Sequence, residues 1–182
     1  MSLLALDGVA CTRGGRILFE GLSLTLGPGE AALVAGPNGV GKSSLIRLAA
    51  GLLGPAAGTV ERAEAALADE HLALDERQRL WAALAFWVED PAPGVAAMGL
   101  RPLTQVPVRM LSTGQRKRAA LARVIARQAP LWLLDEPANG LDTDGLARLE
   151  AAIAVHREGG GAVLAASHQP LVLPGAQTVT LG

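Results

Sequence analysis

The chain has 182 residues, 50% of them hydrophobic, and a formal net charge of −1 at pH 7. This length fits one domain spanning 1–182 with a sizeable core, and the near-zero charge argues against a dedicated nucleic-acid binder. The one cysteine, Cys11, excludes an internal disulfide and a cysteine-only metal site, and it fits a reduced, cytoplasmic setting.

Residues 3–9, 16–18 and 22–26 have strand character, with turns at Gly14-Gly15 and Gly27-Pro28-Gly29. Residues 30–35 read as a short buried strand. Residues 44–50 read as the start of a helix that Gly51 or Gly54-Pro55 stops. Residues 58–62 are a further strand candidate. One helix is predicted over 75–88, followed by breaks at Pro91, Pro93 and Gly94 and an irregular stretch around Pro102 and Pro107. Residues 72–110 are therefore expected to form an inserted helical lobe. Beyond it lie a helix at 113–128, a buried strand at 131–134, and a helix at 143–157 that Gly159-Gly160-Gly161 stops. A buried strand at 162–166 and a last strand at 178–181 close the chain. Strands and helices alternating over short links predict an α/β fold with a mostly parallel, helix-covered sheet. The longest apolar run, 80–88, is shorter than the roughly 20 residues of a bilayer-spanning helix. The start Met-Ser-Leu-Leu-Ala-Leu-Asp lacks the basic residues and long apolar stretch of a secretory signal.

The run Gly36-Pro37-Asn38-Gly39-Val40-Gly41-Lys42-Ser43 fits G-x-x-x-x-G-K-[ST] at every fixed position. Of the 16 basic residues only Lys42 and Lys117 are lysine, so lysine stands here against the composition of the chain. A compact ammonium fits inside a tight ring of backbone amides, and a guanidinium fork does not. The glycines let N–H groups turn inward toward a phosphate. Ser43 can place its hydroxyl on Mg²⁺, and Ser44 leads into a helix whose N-terminus points at the phosphates. The plain alternative is a Gly-rich turn ahead of an ordinary helix.

The apolar run Leu131-Trp132-Leu133-Leu134 delivers Asp135 and Glu136 at its C-terminal end, the edge where ligands of parallel sheets bind. Asp135 is expected to hold Mg²⁺ through water and Glu136 to polarise an attacking water, although a strand followed by an acidic turn has the same pattern. Leu111-Ser112-Thr113-Gly114-Gln115 turns a hydroxyl, a glycine N–H and a helix start toward an anion. A Ser N-cap alone explains Ser112 but not Gly114-Gln115. Asn139-Gly140-Leu141-Asp142 and Ser167-His168 follow.

In this order the motifs resemble the phosphate loop, signature, acidic strand end, D-loop and switch histidine of ABC ATPases, over nearly the whole chain. The resemblance implies a P-loop, RecA-like core with an N-terminal antiparallel β portion and an inserted helical lobe, the signature lying at 111–115. It implies ATP and Mg²⁺ as cofactors and Lys42, Glu136 and His168 as catalytic residues. Nucleotide contacts would come from Gly36, Pro37, Asn38, Gly39, Val40, Gly41, Lys42, Ser43, Ser44, Gln115 and Asp142. It further implies a head-to-tail homodimer, each ATP lying between the Lys42 loop of one copy and Ser112 and Gly114 of the other.

Three stretches are similar to the haem-exporter ATPases of cytochrome c maturation. They are Cys11-Thr12-Arg13-Gly14-Gly15-Arg16-Ile17-Leu18-Phe19, then 131–137, then His156 with Gly159-Gly160 and Ser167-His168-Gln169-Pro170-Leu171. Arg13 falls where most ABC ATPases place an aromatic against adenine; it can stack on the base or be a surface arginine in a turn. The chain departs from the pattern in being short between Gly58 and His71. It also carries His71 where the Q-loop glutamine is usual, so that His71 either approaches the metal or faces solvent while Glu70 supplies the oxygen. The implied partner is an integral membrane transporter subunit, served peripherally from the cytoplasmic face of the bacterial inner membrane. Nucleic acid is not an expected partner. Direct haem binding is not expected either, since there is no C-x-x-C-H motif and His71, His156 and His168 are scattered. Rival readings are the ATPase of another transporter, for a drug, lipid or ion, and a weakly hydrolysing regulatory module.

Overall fold

The computed structural model describes residues 2–71 and 73–182. Met1, and Leu72 at the start of the expected lobe, lie outside these. Strands β1 (Leu4–Arg13) and β2 (Arg16–Leu26) form an antiparallel hairpin turning on Gly14 and Gly15. Both sequence-predicted halves of β2 belong to one strand. The ladder absorbs register shifts near Gly8 and Gly21, which sit at φ 57° and 66°. After β3 (Ala31–Ala35) and α1 (Lys42–Ala49), β4 (Ala57–Arg62) completes a three-stranded sheet on the other edge of β1.

The second sheet is parallel. It takes the order β5-β6-β7-β3-β8, with β5 (Ala65–Ala68), β6 (Leu131–Asp135), β7 (Ala162–Ala166) and β8 (Gln177–Thr180). Helix α4 (Thr113–Arg127) leads into β6, and α5 (Thr143–Glu158) links β6 to β7. Leu131 and Leu133 pack with α1 and the antiparallel sheet, whereas Trp132 and Leu134 pack with α4, α5 and the lobe. Because both faces are covered, the strands read as unbroken apolar runs. The parallel order brings Gly36, Asp69, Glu136 and Ser167, each next after its strand, out along one edge.

The helix expected over 75–88 is not formed as one element. Only α2 (Leu80–Ala85) is helical there, with α3 (Ala92–Ala97) and two 3₁₀ turns completing the segment. Asp75 closes a turn by accepting from the Arg77 N–H at 2.9 Å. The carbonyls of Gln78 and Glu76 then accept from the N–H groups of Val108 and Arg109. Pairing with a distant segment therefore consumes the backbone groups that a first helical turn would have used. Leu80 and Leu84 are buried, whereas Trp81, Phe86 and Trp87 keep 38%, 77% and 39% exposure. At Gly94 a Cβ would collide with the Ala122 carbonyl, so glycine lets α3 seat directly on α4.

Below the parallel sheet, His156 of α5 stacks on Trp132, with ring centroids 4.0 Å apart and planes 9° from parallel. Its Nε2–H donates to the Ala162 carbonyl at 3.3 Å, and a Cβ on Gly161 would collide with the ring. Burial lowers the His156 pKa, opposed by its contacts with the Ala162 and Pro130 backbones. A histidine whose folded pKa is depressed contributes stability above its unfolded value of about 6.5 and loses it as pH falls through the folded value. We therefore expect thermal stability to drop between pH 7.5 and 5.5. In His156→Phe, which keeps the stack and cannot be protonated, the drop should be smaller; equal drops in the two proteins would refute this.

Candidate functional site

The loop after β3 is shaped by glycines at φ 147° (Gly36), 80° (Gly39) and 117° (Gly41), values that side-chain-bearing residues rarely adopt. A Cβ on Gly36 would also come within 2.5 Å of the Leu181 carbonyl oxygen. Leu18 and Phe19 of β2 pack against Gly41, which sets the hairpin beside the loop. Lys42 is 6% exposed, and its Nζ donates to the carbonyls of Gly36 at 2.8 Å and Pro37 at 3.1 Å. The ammonium is thus already inside the loop, satisfied by backbone oxygen. Helix α1 begins at Lys42 itself, two residues before the expected Ser44, and has no side-chain N-cap. Its first N–H groups are left for another acceptor.

At the end of β6, Asp135 is 7% exposed and, among the described residues, its Oδ1 has no hydrogen-bond partner. Burial pushes its carboxyl up, the Ser43 hydroxyl pulls it down, and neighbouring Glu136 and Asp69 push it up again. Glu136 takes φ 47°, a strained value for this residue type, and its N–H donates to Ala166 of β7 at 2.8 Å. Its Oε2 accepts from the backbone N–H of His168 at 3.2 Å and lies 2.8 Å from His168 Nδ1. A cavity of about 410 Å³ opens in front, lined by Ser43, Asp69, Asp135, Glu136, Lys117 and Asn139 among others. An unpartnered carboxylate oxygen beside a hydroxyl suits a hard cation such as Mg²⁺, which prefers oxygen ligands.

Other expected site residues lie elsewhere. His71 does not line this cavity. Its side chain is 68% exposed and its Nδ1 lies 3.3 Å from Asp69 Oδ2, while Glu70 does line the cavity. The cause is local: the Asp69 carboxylate also accepts from the His71 N–H at 3.0 Å and turns the chain outward. Ser112 and Gln115 form a reciprocal capping box on α4. Gly114 faces the Gly140 carbonyl oxygen, 3.0 Å from where a Cβ would stand. Asp142 caps α5 by accepting from Gly145 N–H at 2.8 Å. Arg13 is exposed at the hairpin tip. The structure adds Asp69 and Lys117 to the cavity. The lysine had a signal in the sequence, being the only other lysine in an arginine-rich chain; Asp69 had none, because strand β5 is almost all alanine.

A family model described as ABC transporter matches residues 19–139. The chain belongs to the ABC transporter family. It is 59% identical over 188 residues to the cytochrome c biogenesis ATP-binding export protein CcmA of Sphingopyxis alaskensis, covering 99% of this chain and 97% of that protein. It is 57% identical over 182 residues to the protein of that name from Novosphingobium aromaticivorans, covering 98% and 95%. Among solved structures, an ATP-binding subunit of an ABC transporter aligns with a TM-score of 0.83 at 20% identity, over 91% of this chain and 79% of that one. The cbiO1 protein of Clostridium perfringens, part of the ABC transporter complex cbiONQ, aligns at 0.76 and 23% identity, over 92% and 79%. These likenesses show the ABC ATPase fold that the sequence resemblance implied. Among the described residues no helix is long and apolar enough to cross a membrane.

A carboxylate whose folded pKa is raised penalises the fold above that pKa, and the penalty fades as pH falls toward the unfolded value. Without nucleotide or divalent cation, Asp135→Asn is therefore expected to melt above the parent at pH 7.5. The gain should narrow as pH falls toward 3.8, the ordinary value. Melting curves across pH, with a chelator present, check this; no gain at pH 7.5 would refute it.

Proposed function

We propose that the chain is the ATP-hydrolysing subunit of a membrane exporter serving cytochrome c biogenesis, with haem as the group whose delivery it powers. The observation that carries hydrolysis is the Glu136–His168 contact of 2.8 Å beside Asp135 and Ser43. The export role rests on the name shared by relatives at 59% and 57% identity over almost the full chain.

The loop Gly36 to Gly41 cradles the phosphates through the backbone N–H groups of its residues other than Pro37, and Lys42 neutralises them. Ser43 and Asp135 hold Mg²⁺, which when bound orients phosphate oxygens and offsets their charge. Glu136 accepts the proton of the attacking water. His168 steadies the Glu136 carboxylate through Nδ1 and leaves its other ring nitrogen for the γ-phosphate. Ser112, Gly114 and Gln115 act on the nucleotide of a second copy, and Arg13 stacks on the base. His71, turned outward, takes no part. Lys42→Ala is expected to abolish tight ATP binding. Glu136→Gln should keep binding and lower turnover by ~10²-fold or more, accumulating an ATP-bound dimer visible by gel filtration. Parent-rate turnover in Glu136→Gln would remove Glu136 from this role.

The membrane subunit docks on the lobe. Phe86 and Trp87 meet edge to face at 5.4 Å, and the Arg123 guanidinium lies 5.1 Å from the Trp87 ring centroid. Exposed rings clustered in this way mark an interaction surface more than a solvated one. A Trp87→Glu variant should fold, keep its ATPase and lose membrane association in a fractionation assay. Normal association of the folded variant would exclude this patch.

A further inference from the structure

Lys117 plays no part in the reading above. It sits in the first turns of α4 and lines the same 410 Å³ cavity as Ser43, Asp69, Asp135 and Glu136. Most other charges around that cavity are matched. Arg116 meets Glu76 at 3.0 Å, Arg47 meets Glu70 at 3.7 Å and His168 meets Glu136 at 2.8 Å. Among the described residues the Asp69 carboxylate has one ion-pair contact within 4.0 Å, the exposed His71 ring at 3.3 Å, with the Arg123 charge acting on it from farther off. Asp69 reaches this edge because β5 runs parallel to β6 with Ala68 opposite Leu134, so the next residues are Asp69 and Asp135. Among the described residues Lys117 makes no ion pair within 4.0 Å. The charges acting on it beyond its burial are Asp135, Asp69 and Glu136.

We propose that Lys117 is a positioning residue of the hydrolysis site: its ammonium is the shared counter-charge to Asp135 and Asp69, which line the same cavity, so the acidic edge holds a divalent cation together with nucleotide and only weakly alone. This rests on the reading that Ser43 and Asp135 hold the metal. Two neighbouring carboxylates with no cation between them would attract a free divalent ion by themselves. A lysine offsets that charge as a point, on a flexible stem. An arginine fork would clamp a carboxylate bidentately and take its oxygens away from the metal.

The test is Mn²⁺ binding to the full chain without nucleotide, read from the electron paramagnetic resonance of free Mn²⁺. Thermal melts check that each variant folds. The parent should bind weakly. Lys117→Gln should bind about tenfold tighter, the scale of one unit charge acting across a solvent-open cavity. Asp69→Asn combined with Lys117→Gln should return to the parent value. Unchanged affinity in Lys117→Gln overturns the proposal, and so does a tightening that Asp69→Asn fails to reverse. Asp135→Asn separates the two readings and should remove Mn²⁺ binding in every background. Removal by Asp135→Asn without any response to Lys117→Gln leaves the metal site standing and sinks the role of Lys117. Binding that ignores Asp135→Asn overturns the metal site and this inference with it.

Discussion

Asp135 is a carboxylate at the end of a strand whose residues are all buried, with one oxygen that none of the described residues satisfies. Such a group is costly unless compensating charge is brought to it. The surrounding architecture follows from that need. The sheet must be parallel, so that the loop after β3 reaches the same edge as the end of β6. Helix α1 must start at Lys42, so that Ser43 stands in front of the carboxylate. Helix α4 must cross nearby, so that a cation can face the edge from the lobe side.

The two lysines answer different problems. Lys42 is buried and held by two carbonyl oxygens of its own loop, with its third N–H left for a phosphate, so it is in place before any phosphate arrives and pays little ordering cost on binding. Lys117 is half-buried and, among the described residues, has no ion-pair partner within 4.0 Å, and its stem leaves it free to follow the charge in the cavity. Glu136 shows the opposite strategy. Its backbone is strained and pinned to β7, so the carboxylate has few places to go.

Contiguous features are legible in the sequence. Residues 36–43, the run Leu131 to Glu136 and Ser167-His168 each carry a strand end and its chemistry within a few residues, so local pattern suffices. Asp69 escapes because Ala65–Ala68 is a strand only by virtue of pairing with β6, and alanine carries no β signal. The segment at 75–79 has helical composition, yet its carbonyls are taken by Val108 and Arg109, an arrangement set by tertiary contact. The direction of His71 depends on an Asp69 turn that spacing does not encode. Trp132 and His156, 24 positions apart in number, are one stacked unit in space, a pairing that neither stretch announces by itself.

That stack gives the molecule a built-in optical division of labour. The chain has three tryptophans and no tyrosine. Trp132 is 3% exposed under the parallel sheet, whereas Trp81 and Trp87 lie on the lobe surface. Intrinsic emission therefore has a short-wavelength component from the base of the ATPase core and a long-wavelength component from the lobe. Acrylamide is expected to quench the second more than the first, so one unlabelled sample can follow core unfolding and surface coverage in separate spectral channels.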